Sequence, residues 1–141
     1  MSSHEAEMNY LLDTSALLAF YFDEPGSMRV RQILSDDQAS VGLSVLTAAE
    51  FWSRLRAEGW EQVFDEEWRR INEMITIVAP VTFDVIRRSL DLRVAATARL
   101  PQIDALIAGT ALVHEAVLVH RDAHFLSIPA NLLQQEFLTE K

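Results

Sequence analysis

A chain of 141 residues, half of them hydrophobic, is sized for one folded domain with a substantial core. It has no cysteine, which excludes disulfides and thiolate metal sites. Its 21 acidic residues outweigh 12 basic ones, and the net charge of −9 argues against a simple nucleic-acid-binding module, because phosphate contacts need cations.

Residues 1–7 (MSSHEAE) are polar and acidic, unlike a signal peptide. They read as a flexible lead-in, with Met8 an alternative start, and residues 8–141 read as a single domain. The apolar runs are short and broken by charges, so no membrane span is expected. With no cysteine in use, a cytoplasmic setting is expected.

The first predicted strand is 8–12, and it ends on Asp13. Residues 14–22 have a helical pattern with Leu17, Leu18, Tyr21 and Phe22 on its apolar face. The Pro25-Gly26 pair marks a turn, and a helix follows over 28–34. The second strand is 39–44. Ser44 is suited to cap the next helix, which carries Leu46, Glu50, Trp52 and Leu55 and stops near Gly59. Residues 60–74 have helical spacing and an acidic outer face. A third strand at 75–80 ends on Pro80. Residues 83–100 read as one long helix with Val85, Ile86, Leu90 and Val94 as its apolar positions. Pro101 interrupts it, and an Ala-rich helix covers 103–114. The fourth strand is 116–120, and residues near Phe137 can add a short edge strand.

Short, continuously apolar strands alternating with helices predict an α/β fold. Its central, mostly parallel sheet of four to five strands is covered on both faces. Ligands of such sheets sit beyond the strand C-termini. Four acids fall there. Asp13 closes the first strand, Glu50 lies on the helix after the second, Asp104 opens the helix before the fourth, and Asp122 follows the fourth. Each also has an ordinary use: Asp13 as a helix N-cap, Glu50 paired with Arg54, Asp104 favouring the helix dipole, Asp122 in a turn. It is their shared edge that points to a site. Two carboxylates about 4 Å apart repel by roughly 4 kcal/mol at an effective dielectric near 20, so four need a cation or shared protons. Oxygen ligands without cysteine point to Mg²⁺, with Mn²⁺ as a substitute.

The segments LLDTSALLAF, YFDEPGS, LSVLTAAEFWSRL, LPQIDALIAGTAL and AVLVHRDAHF, in this order, resemble PIN-domain ribonucleases, and most of all the VapC-type toxins of toxin–antitoxin pairs. The resemblance implies a PIN-like three-layer sandwich and a metal-dependent endoribonuclease. It implies that Asp13, Glu50, Asp104 and Asp122 are catalytic. Asp13, Asp104 and Asp122 would hold the ion directly or through water, and Glu50 would orient the attacking water. Ser15 is implied as a supporting hydroxyl. Arg54, Arg93, Arg99 and Arg121 are candidates to guide the RNA backbone. A small antitoxin is implied as partner, placing a basic side chain among the acids. The aromatic residues Phe51, Trp52, Trp60, Phe64 and Trp68 are candidates for its groove or for a homodimer face.

Two positions depart from the family. Thr or Ser is common where this chain has His120, which is expected to finish its strand. Some members carry an acid where this chain has His124, so a second metal has thinner support, and His124 reads as a surface turn residue. Other chemistries fit less well. A haloacid-dehalogenase phosphatase would want an acid at Ser15. No Gly-rich phosphate loop is present. Ser44 and Ser53 lack a His–Asp setting, and the four histidines lack paired zinc spacing. The alternatives are a non-catalytic PIN-fold interaction module and a DNA nuclease of the same chemistry, since no 2′-hydroxyl reader is visible.

Overall fold

The computed structural model describes residues 8–139, so the lead-in predicted at 1–7 lies outside the described residues. The apolar runs form four short strands, β1 (Tyr10–Leu12), β2 (Val41–Ser44), β3 (Ile77–Ala79) and β4 (Val117–His120), and a more polar edge strand, β5 (Gln135–Phe137), joins them. The helices between them are α1 (Thr14–Tyr21), α2 (Ser27–Ser35), α3 (Leu46–Ala57), α4 (Phe64–Met74), α5 (Phe83–Ala95) and α6 (Gln102–Val113). Two 3-10 turns, Glu61–Val63 and Ala123–Ser127, complete the elements.

The strands form one sheet in the order β3-β2-β1-β4-β5, with every neighbouring pair parallel. Alternate residues of each strand face opposite layers, which is why the inner strands are mostly apolar along their length rather than alternating. Leu11 and its register partner Leu118 pack with Leu92, Ile107, Ala108 and Phe125 of the α5–α6 layer. Leu12, Leu43 and Val119 pack with Leu17, Ile33, Phe51, Leu55 and Ile71 of the α1–α4 layer. The result is the three-layer sandwich expected from the sequence.

The two helical layers are packed by different means. On the α1–α4 side Phe51 is fully buried and meets Tyr21 edge-on at 5.0 Å between ring centroids, while Phe64 and Trp68 stack at 6.1 Å. On the other side α5 and α6 approach backbone to backbone. A Cβ added at Gly109 would stand 2.7 Å from the Val85 carbonyl oxygen and 3.1 Å from the Ser89 nitrogen.

That close approach corrects the reading of 83–100. The helix turns its small face inward, burying Val85, Ser89 and Leu92. Ile86, Leu90 and Val94 are exposed, Val94 to 88%. The helix also stops at Ala95, well before Pro101. A second correction falls at 60–74, where Glu61–Val63 is a 3-10 turn and the α-helix begins only at Phe64.

Candidate metal centre at the strand switch

From β1 the chain steps to β2 and β3 on one side of the sheet, whereas β4 and β5 lie on the other. The reversal opens a crevice between the C-terminal ends of β1 and β4, the position at which parallel sheets bind ligands. The wall on the β1 side is built from three consecutive residues. Asp13 leaves the strand with extended backbone, and its N–H donates to the Val119 carbonyl at 3.0 Å. Its carboxylate caps α1, accepting from the Ala16 N–H at 2.9 Å and from the Ser15 hydroxyl at 2.7 Å. Both of these bonds fall on Oδ1. The Ser15 oxygen also accepts the Arg121 N–H at 2.8 Å, tying the start of α1 to the end of β4. Thr14, between them, donates its hydroxyl to the Glu50 carboxylate and lies 3.1 Å from the Thr47 hydroxyl.

Asp13 therefore has both its ordinary use and a place in the crevice. It is 3% exposed, and burial pushes its carboxyl up to about 7. The Ser15 and Ala16 bonds oppose the rise, and the nearby Asp122 adds to it. Glu50 is held by Thr14 rather than by Arg54, whose guanidinium pairs instead with Glu24 at 2.7 Å and Glu58 at 3.3 Å.

The opposite wall is more open. Asp104 lies in the first turn of α6, where the helix dipole favours an acid. Burial raises its pKa to about 6; Asp122 pushes it further up, His124 draws it down and Glu50 adds a smaller push up. Asp122 caps the turn after β4 by accepting the His124 N–H at 2.9 Å. The His124 ring then folds back, with Nδ1 2.9 Å from Asp122 Oδ1 and 3.5 Å from Asp104 Oδ2. One ligand atom from each of Asp104, Asp122 and His124 lies within 4.8 Å of the others.

The crevice thus gathers Asp13, Glu50, Asp104 and Asp122, and it adds two residues that sequence reasoning had left aside. His124, read as a turn residue, joins the cluster; its spacing of two from Asp122 was the available signal. Thr14 was passed over inside an apolar helix. The donor set fits a divalent ion: carboxylate oxygens suit Mg²⁺ and Mn²⁺, and an imidazole nitrogen favours Mn²⁺ of the two.

Of the arginines, Arg121 donates to the Pro25 carbonyl at 2.8 Å and lies 3.6 Å from Glu24, which Arg54 shares. Arg93 and Arg99 are exposed and make no ion pair among the described residues. Phe51 belongs to the core rather than to a groove, whereas Trp52 and Trp60 are exposed. A surface groove lies elsewhere, beside β5, lined by Thr97, Leu126, Leu133 and Phe137, and none of the four acids borders it.

The PIN domain model matches residues 10–131. The chain belongs to the PIN-domain family. Among solved structures, a chain of a toxin–antitoxin complex from Klebsiella pneumoniae is 22% identical with a TM-score of 0.70, covering 94% of this PIN domain chain and 100% of that one. A chain of VapBC2 from Rickettsia felis, bound to a DNA fragment from its promoter, is 18% identical with a TM-score of 0.74 over 94% and 100% of the two chains. One from the FitAcB structure of Neisseria gonorrhoeae is 23% identical with a TM-score of 0.68 over 89% and 95%. At these identities the shared property is the PIN fold. No curated protein matches the chain significantly in sequence. Among the described residues no helix is long and apolar enough to cross a membrane.

Proposed function

We propose that this PIN domain is a divalent-metal-dependent endoribonuclease and the toxin of a toxin–antitoxin pair. The observation that carries the reading is the meeting of Asp104, Asp122 and His124 within 4.8 Å, beside Asp13 and Glu50, at the strand switch. Asp104 and Asp122 would hold Mg²⁺ or Mn²⁺, Asp13 would reach it directly or through water, and His124 offers a further nitrogen ligand. A cation bound there acidifies water and offsets charge on phosphate oxygens. Glu50, anchored by Thr14, orients a water for attack on phosphorus and accepts its proton. The new O–P bond forms as the bond to the 3′-oxygen breaks, and the departing oxygen takes a proton from solvent water, leaving a 5′-phosphate and a 3′-hydroxyl. Ser15 keeps Asp13 and the β4 end in register. Arg54, Arg93, Arg99 and Arg121 are the cations available to guide the backbone of RNA.

The net charge of −9 and the acidic crevice also suit a small basic antitoxin. Of the five aromatic residues named in the sequence as candidates, Trp52 and Trp60 are the two exposed for such a partner or for a second copy of the chain. The choice of RNA and of a toxin role rests on the sequence resemblance and on the company of the structural neighbours. The test is cleavage of a structured-RNA pool, and of matched DNA, by the purified partner-free chain with Mg²⁺ or Mn²⁺, with chelator, and as Asp104→Asn. RNA cleavage that needs both metal and Asp104 is expected. Cleavage of DNA alone would move the reading to a DNA nuclease. Absence of both cleavage and metal binding would leave a non-catalytic interaction module.

A further inference from the structure

His120 finishes β4 as expected, yet it is fully buried and both of its ring nitrogens are engaged. The direction of those bonds can be deduced from one end. The Phe125 carbonyl can only accept, so the group of Gln135 that lies 3.1 Å from it is the amide nitrogen. The Gln135 oxygen therefore faces His120 Nε2, at 2.8 Å. An amide oxygen can only accept, so Nε2 carries the proton. The backbone N–H of Asp122 points at Nδ1 from 3.2 Å and can only donate, so Nδ1 is the bare, accepting nitrogen. Packing fixes its plane: the ring lies 4.8 Å from Phe125 and 5.3 Å from Phe137, centroid to centroid. The relay runs from Asp122 through His120 and Gln135 to Phe125, joining both ends of the loop that carries the cluster.

We infer that His120, in the tautomer set by Gln135, is a positioning residue: through Nδ1 it fixes the Asp122 backbone and so aims Asp122 and His124 at the ion. The inference rests on the reading of the acidic cluster as a divalent site. Partners that orient metal ligands in this way characteristically carry 10- to 100-fold in metal affinity. A histidine that merely fills the core would instead make itself felt through stability alone.

The two roles separate by which ring nitrogen matters. Asn at this position keeps a polar group near the place of Nδ1, and Gln keeps one near that of Nε2. Calorimetric titration with Mn²⁺ of the folded full chain is expected to show His120→Asn close to wild type and His120→Gln weakened by roughly 10- to 100-fold. Gln135→Leu, which frees the proton to move to Nδ1, should weaken binding as well. Nitrogen NMR of the metal-free wild-type chain is expected to show the Nε2–H tautomer with the Asp122 amide protected from exchange. Unchanged Mn²⁺ affinity in His120→Gln, or the Nδ1–H tautomer in the wild type, would overturn the inference. If the wild-type chain itself binds no Mn²⁺, the metal-site reading falls, and the NMR result alone decides whether the relay exists.

Discussion

The two walls of the crevice are built to different standards of rigidity. On the β1 side Asp13 is 3% exposed, caps a helix, accepts a hydroxyl and is tied through Ser15 to the far strand. On the α6 side the side chains of Asp104, Asp122 and His124 are 17%, 29% and 54% exposed and contact mainly one another. The closed wall is a fixed reference; the open wall offers its ligand atoms to whatever enters. A binding site of this form needs both, one to define position and the other to supply accessible charge.

The sharpest way to break this contrast is to neutralise one acid on each wall. Asp104→Asn and Asp122→Asn should lower single-turnover cleavage by on the order of 10³-fold, since each removes a charge that acts on the ion. Asp13→Asn keeps a competent helix cap and should cost less, on the order of 10–100-fold. Equal losses at all three positions would show that the walls do not differ in role.

Saturating Mn²⁺ probes the open wall as a whole. At about 100 times its dissociation constant it should add about 2.7 kcal/mol to the unfolding free energy. That gain should vanish with chelator and in Asp104→Asn, as read by thermal or denaturant unfolding.

The acidity of the two walls gives a third prediction. Asp104 is raised from 3.8 to about 6 and Asp13 from 3.8 to about 7. Across that window the folded chain holds protons that the unfolded chain has released. The metal-free protein should therefore lose stability as pH rises from about 4 to 7. Asp104→Asn should flatten the profile and be more stable at pH 7 by about 1–3 kcal/mol, while being inactive. A metal-free stability that rises over this range would contradict the assignment.

The smallest effects concern the tie between walls and a control away from it. Ser15→Ala removes the donor to Asp13 and the acceptor for the Arg121 N–H, and should cost about 1–2 kcal/mol in stability. Leu90→Ser, on the exposed face of α5, should change stability by no more than about 0.5 kcal/mol.

How far the sequence could be read follows the same physical lines. Strands buried on both faces must be apolar throughout, so β1, β2 and β4 were visible, and with them the edge on which Asp13 and Asp122 fall. The aromatic layer was visible in part: Phe64 and Trp68 repeat at helical spacing, whereas Phe51, on another helix, stood among the candidates for a partner groove. The α5 face was not. Hydrophobicity marks Ile86, Leu90 and Val94, but the contact is decided by Gly109, which lets a serine face a backbone. Hydrophobic pattern carries no record of a neighbour's missing side chain. His124 was missed for a related reason: its partner Asp104 is twenty residues upstream, and only the turn after β4 folds the ring back onto it.

The bond between Ser15 and Arg121 spans 106 positions of sequence. It lies where β1 meets β4, so the central strand pair joins an early segment of the chain to a late one. Synthesis supplies residues from the N-terminus, and such a distant pairing cannot form until β4 has been made. A chain halted just before that point carries Asp13, Glu50 and Asp104 but lacks Asp122 and His124, so the opposite wall is incomplete. For the ribonuclease proposed above, the topology itself acts as a timer: no growing intermediate possesses the assembled crevice.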